Sequence, residues 1–161
     1  MSRHVTLERI NSSDKVAIYS VLYDGEAQNE FEKFIDEYGS KEEFKEDLGV
    51  ILARIQKIEN DSAADRHFRY EGKMKEHIRA LPSHFDSSRL RLYCICYGEC
   101  VLILGGGGNK EGIRAWQDDP MLTRYVKELQ EIEGALMPIF IKRRLYRENI
   151  ASLKDIELTI K

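Results

Sequence analysis

The chain has 161 residues, enough for one domain with its own core. Its composition, 42% hydrophobic and 33% charged with three prolines, excludes the disordered, collagen-like and disulfide-scaffold classes. A net charge of −3 excludes a uniformly basic nucleic-acid binder, although not a local basic surface. No apolar run approaches the ~20 residues of a membrane span, there is no apolar leader segment, and all three cysteines fall within Cys94–Cys100, so the expectation is a cytoplasmic protein with reduced thiols.

The charge is segregated. Residues 24–61 carry a net −7 and residues 62–97 a net +3. An acidic segment followed by a basic one is a reason to look for an anionic partner at the basic part, the alternative being two solvated faces.

Val5–Ile10 and Val16–Tyr23, rich in β-branched and aromatic residues, read as two strands separated by the turn residues Asn11 to Asp14. A helix follows, with Asp24 as the expected cap, Ala27, Phe31, Phe34, Ile35 and Tyr38 on one face, and Gly39 as the stop. A second helix is predicted to open with Ser40 and Glu43 as a capping box. It continues with Phe44, Leu48, Ile51, Leu52, Ile55 and Ile58 at spacings of three and four. Phe68–Leu81 is expected to be extended. Alternation then puts Lys73, Lys75, His77 and Arg79 on one side and Met74, Ile78 and Ala80 on the other. Such a basic row is either a binding strand or a protected sheet edge.

Arg89–Leu104 reads as a β-hairpin turning on Gly98-Glu99, a type II′ turn by its leading glycine. That register sets Tyr97 opposite Cys100, Ile95 opposite Leu102 and Tyr93 opposite Leu104, in central strands packed on both faces. Asp119-Pro120 marks a further helix with Leu122, Tyr125, Val126, Leu129 and Ile132 on its apolar face and Gly134 as its end. Lys142, Arg143, Arg144 and Arg147 form a basic cluster, and Ile156, Leu158 and Ile160 alternate as a last strand or continue a helix.

The expected architecture is therefore a single α+β domain over residues 1–161. It has a mainly antiparallel sheet, two N-terminal helices packed on one face, and a further helix after the last core strand.

No metal or cofactor pattern is found. C-x-C-x3-C is not a usual zinc spacing, and Cys94 and Cys96 on a central strand read as small hydrophobes. The run Gly105–Gly108 followed by Asn109-Lys110 fits neither the P-loop nor the dinucleotide pattern. The hairpin register gives it another meaning, because it places Gly106 opposite Arg91 and Gly108 opposite Arg89. This is a floor without side chains, walled by two guanidinium groups and open to a phosphate backbone, with Lys110, Arg114 and Trp116 close by. The alternative is that the glycines allow close packing and the arginines are salt-bridged.

The segment from Arg89-Leu-Arg-Leu-Tyr through Leu104, followed by Gly108-Asn109-Lys110, resembles the RelE/ParE toxin superfamily, especially its HigB-like members. The resemblance covers roughly residues 16–133 and leaves 134–161 as a C-terminal extension. It implies the toxin of a type II toxin–antitoxin pair, cleaving mRNA on the ribosome without a metal and held by a cognate antitoxin, usually a helix-turn-helix protein. It also implies Arg91, Lys110 and His77 as catalytic residues, and Lys73, Lys75, Arg79, Arg89, Arg114 and Trp116 as RNA contacts. Glu111 interrupts the expected basic pair after Asn109, and the chain is acidic. Both features motivate a second reading, a catalytically inactive or gyrase-targeting protein on the same fold.

Overall fold

The computed structural model describes residues 2–70, 77–143 and 156–161, with side chains described up to Phe140 in the second of these ranges. Six strands form one sheet in the order β3-β4-β5-β2-β1-β6: β1 (Arg3–Arg9), β2 (Ala17–Tyr23), β3 (Ile78–Leu81), β4 (Leu90–Tyr97), β5 (Val101–Asn109) and β6 (Glu157–Ile160). Three α-helices accompany them: α1 (Glu30–Gly39), α2 (Lys45–Asn60) and α3 (Pro120–Arg143). The sheet is mixed, not mainly antiparallel as expected, because β2 runs parallel to β5 while every other neighbouring pair is antiparallel. The chain reaches β5 only after crossing over α1, α2 and the β3–β4 pair, and such a crossover allows parallel pairing.

Helices cover both faces. α1 and α2 bury Phe34, Leu48, Ile51, Ile55 and Ile58 against Ile18, Leu90, Leu92, Cys94 and Leu102 on one face. α3 buries Leu122, Val126, Leu129, Ile132 and Leu136 against Tyr19, Val21, Tyr93, Ile95 and Ile103 on the other. Among the described residues, no helix is long and apolar enough to cross a membrane.

Several local expectations differ from the structure for identifiable reasons. α1 is capped by Asn29 rather than Asp24, in a capping box with Glu32. Its first turn is also pinned by the buried Ser20 hydroxyl, which accepts from the Phe31 amide at 3.0 Å. Ser40 does not open α2. Its hydroxyl donates back to Glu37 O, and a 3₁₀ turn over Glu42–Phe44 leads into the helix instead. Asp119 does cap α3, accepting from the Leu122 amide at 2.9 Å. α3 continues through Gly134 and Pro138, since burial of Leu136 on the core face outweighs the hydrogen bond a proline cannot make. It thus crosses the expected boundary at 134. β6 then completes the sheet beside β1, with Ile156, Leu158 and Ile160 buried.

The hairpin register departs most. Tyr97 pairs with Val101, so the connection Gly98–Cys100 has three residues, with Gly98 at φ +59°, a left-handed conformation that glycine adopts without strain. One extra turn residue moves every side chain of β5 to the opposite face. Ile103 therefore faces α3, and Leu102 and Leu104 face α2. A bulge between Leu92 and Cys94 adds a second shift, so that Gly108 lies opposite Arg91 and Gly107 opposite Leu92. At that bulge a Cβ on Gly107 would stand 2.1 Å from Arg91 O and 2.9 Å from Leu92 Cα, both backbone atoms that cannot yield. Gly49, inside α2, has nothing within 4 Å of its Cβ position. Gly107→Ala is expected to destabilise the fold by about 1–3 kcal/mol. Gly49→Ala is expected to stabilise it by roughly 0.5–1 kcal/mol. Urea unfolding of the two variants measures both.

Candidate functional site

The glycine run is not an open floor. Gly105–Gly108 are all buried. A Cβ on Gly105 would meet Leu129 at 2.8 Å, on Gly106 the Tyr125 ring at 2.4 Å, and on Gly108 Leu122 at 3.2 Å. Three successive turns of α3 thus rest on the strand backbone, and the missing side chains are what allow them to. A cleft of about 250 Å³ between α1 and the start of α3 reaches Gly106 and Gly107 from solvent. Its charged walls are Glu30, Lys33 and Glu37, with Tyr38 and Tyr125 completing it. Lys33 Nζ lies 2.9 Å from the buried Glu30 carboxylate and also pairs with Glu26. Burial pushes the Glu30 carboxyl above the usual carboxylate range. A mouth with two carboxylates and one committed lysine disfavours a phosphate chain.

The expected catalytic set is not brought together. Arg91 and Lys110 lie at the same end of the β4–β5 pair, since the Lys110 amide donates to Arg89 O at 2.7 Å. His77 belongs to the other end, where its carbonyl accepts from the Cys96 amide. Five residues of strand separate Cys96 from Arg91, about 17 Å. His77 stacks on Tyr97 and places Nδ1 3.5 Å from Glu133 of α3. The Arg91 Nη1 donates to Ser88 O at 2.6 Å and Leu90 O at 2.9 Å, which ties its guanidinium to local backbone.

Arg89, Arg79 and Trp116 are engaged within the fold. Arg89 does not wall the glycines. It reaches the opposite way to α2, with Nη2 2.7 Å and Nε 3.0 Å from Asp47 Oδ2, its guanidinium over the Phe44 ring, and its amide donating to Asp47 Oδ1 at 2.6 Å. The paired guanidinium holds the Asp47 carboxyl below the usual range. Arg79 lies over Tyr70 at 4.3 Å and donates to Ile78 O. Trp116 is 5% exposed inside the α3-face core, so its ring is not presented to a base. Arg114 is exposed. Lys73, Lys75 and the basic residues 144 and 147 lie outside the described residues. The described part of the expected basic row is not a row: the strand is only Ile78–Leu81, Arg69 folds back to pair with Ala80, and His77 packs on Tyr97 and Glu133 on the α3 face while Arg79 lies over Tyr70 on the other. Among the described residues, no group of three His, Cys, Asp or Glu side chains could hold a metal. Burial pushes the Cys96 thiol up to about 12, in keeping with a core hydrophobe.

The turn before β4 presents Phe85 at 83% exposure. This turn is held from two sides. Arg69 donates to Pro82 O, Ser83 O and Asp86 O at 2.8–3.1 Å, and Arg54 of α2 grips the Asp86 carboxylate with Nε at 2.8 Å and Nη2 at 3.0 Å. Arg54 Nη1 also contacts His67 Nδ1 at 3.1 Å, while His67 Nε2 lies 3.1 Å from Asp61. A guanidinium can only donate, so Nδ1 is the acceptor and the buried ring is neutral. A signal for this turn was present: a large aromatic sits among the turn formers Pro82, Ser83, Asp86 and Ser87, where no helix or strand period could bury it.

No protein-family model, curated protein or solved structure matches the chain.

Asp47→Ala is expected to cost about 1 kcal/mol in chemical denaturation, because the half-buried Arg89 amide loses its acceptor at 2.6 Å. His67 has its pKa lowered from 6.5, first by burial and then by the charges of Arg66, Arg54 and Lys57. The unfolded chain therefore takes up this proton before the folded one, and stability falls as pH drops below about 6.5. Urea midpoints between pH 7 and 5 should show this loss (roughly two pH units around the ring's ordinary pKa), and His67→Gln should flatten it.

Proposed function

We propose that this chain is a RelE/ParE-like binding protein without ribonuclease activity, acting through a protein partner of the antitoxin kind that the resemblance implies. The observation that carries this reading is the roofing of the glycine run by Leu122, Tyr125 and Leu129 of α3, which occupies the surface where a scissile phosphate would have to lie. The separation of His77 from Arg91 and Lys110 agrees with it, since metal-free cleavage needs its proton acceptor and its cations within reach of one phosphate. A protein partner is favoured by Phe85. An aromatic ring on a turn already fixed by two arginines loses little entropy on burial and makes an effective anchor for an apolar pocket.

The ribonuclease reading keeps one feature in its favour, the placement of Arg91 and Lys110 at one strand end with exposed Arg114 following. The two are separated by supplying ribosomes and mRNA to the purified chain and by expressing it alone in bacteria. The expected outcome is no cleavage and normal growth. Ribosome-dependent cleavage that disappears in the Arg91→Ala/Lys110→Ala variant would overturn the proposal and restore the toxin.

A further inference from the structure

On the β1–β6 side of the sheet, two strands removed from β5, an open groove of about 370 Å³ runs between the strand ends and α3. It is lined by Arg3 of β1, Lys161 following β6, and Arg124, Lys127, Glu128 and Glu131 of α3. Four cations face two carboxylates, and one of those carboxylates is committed below the surface. Glu128 is 8% exposed, and its Oε2 accepts from the Tyr23 hydroxyl. Its Oε1 lies 2.7 Å from Arg124 Nε and 3.2 Å from Arg3 Nη2. The Arg3 guanidinium also lies over the Tyr23 ring at 4.3 Å.

Two guanidinium groups are thus fixed side by side on a single buried oxygen, with outer edges still in water. One carboxylate cannot neutralise both, and like charges held together repel unless an anion joins them. Lys127, one turn from Arg124, and Lys161, next to the Arg3–Ile160 pair, add two more charges at the rim. For both lysines no ion-pair partner is present among the described residues. Guanidinium forks pre-oriented by a buried acid suit the oxygens of a phosphate, and four cations suit a ligand carrying more than one negative charge.

We propose that this groove binds phosphate groups, with Arg3 and Arg124 as the fixed donors, Lys127 and Lys161 as the mobile ones, and Glu128 as the residue that positions the arginines. The shared chemistry is a run of two or more phosphates, found in a small polyphosphate or along a nucleic-acid chain. The site is independent of the reading given above, since neither growth nor RNA cleavage reports on it.

The test is a titration of the full chain, followed by amide NMR shifts, with pyrophosphate and separately with a short single-stranded oligodeoxynucleotide. Saturable shifts in β1 and the first half of α3 are expected, with a dissociation constant at or below about 1 mM for at least one probe. Lys127→Glu and Arg124→Gln should each weaken it by about fivefold or more. Both side chains are exposed, and Lys127→Glu touches no core contact, so folded variants are available for comparison. An oligonucleotide bound about tenfold more tightly than pyrophosphate, with affinity falling steeply as salt rises, assigns the groove to a phosphodiester chain. Equal or weaker oligonucleotide binding assigns it to a small polyphosphate. The absence of saturable shifts with both probes, or shifts that persist unweakened in both variants, overturns the proposal.

Discussion

The distance between α3 and the sheet is set by three residues of β5 that lack a Cβ, Gly105, Gly106 and Gly108. An ordinary side chain on β5 would hold the helix off by its own thickness, yet Leu129, Tyr125 and Leu122 occupy that space over Gly105, Gly106 and Gly108. Close packing of this kind yields dispersion contacts and excludes water, but it also removes a surface. The same glycine run admits the bulge with β4, where Gly107 lies against the backbone of Arg91 and Leu92. One run of sequence therefore determines how the helix docks, where the strand register shifts and why the strand end offers no floor for a ligand.

With both faces of the sheet covered, charged side chains near it must find partners at the rim. The acidic and basic segments of the chain largely serve this need in each other. Asp47 in α2 holds Arg89, Asp61 behind α2 holds Arg66 and contacts His67, and Arg54 in the acidic segment grips Asp86 in the basic one. The pattern that reads as a polarised surface is in good part an internal complementarity between α2 and the turns packed beside it. It also fixes the turn that carries Phe85, so the electrostatics that stabilise this side of the fold present an aromatic ring that is 83% exposed.

The opposite edge is organised differently. There β6 closes the sheet against β1, and α3 lies across their ends, so that Arg3 and Lys161, far apart in the chain, meet the first half of one helix. Glu128 is central because a buried carboxylate must be satisfied, and here the hydroxyl of Tyr23 and two guanidinium groups do so. An excess of positive charge collects around it on a protein that is acidic as a whole.

Much of the local structure was legible in the order of residues. The 3.6-residue period of Leu48, Ile51, Ile55 and Ile58 and the Asp119-Pro120 start of α3 depend on neighbours within one or two turns, whereas the alternation of Ile156, Leu158 and Ile160 left strand and helix both open until the pairing with β1. The parallel pairing of β2 with β5, the three-residue connection at Gly98 and the bulge after Leu92 were not, because each depends on what a strand meets from elsewhere in the chain. The β4–β5 register shows the scale of that dependence: with one residue more at the turn and one at the bulge, Arg91 stands opposite Gly108 instead of Gly106, and Arg89 lies beyond the glycine run, bonded to Asp47. Arg124 and Glu128 stand one helical turn apart on α3, but the arrival of Arg3 and Lys161 beside them joins strands far apart in the chain. The sequence by itself determined the helical period of α2, the two apolar strands β4 and β5, the start of α3 and which residues seek a core. Only the tertiary structure decided which charges meet and which glycines are covered, because those outcomes depend on distances between residues that the chain order leaves far apart.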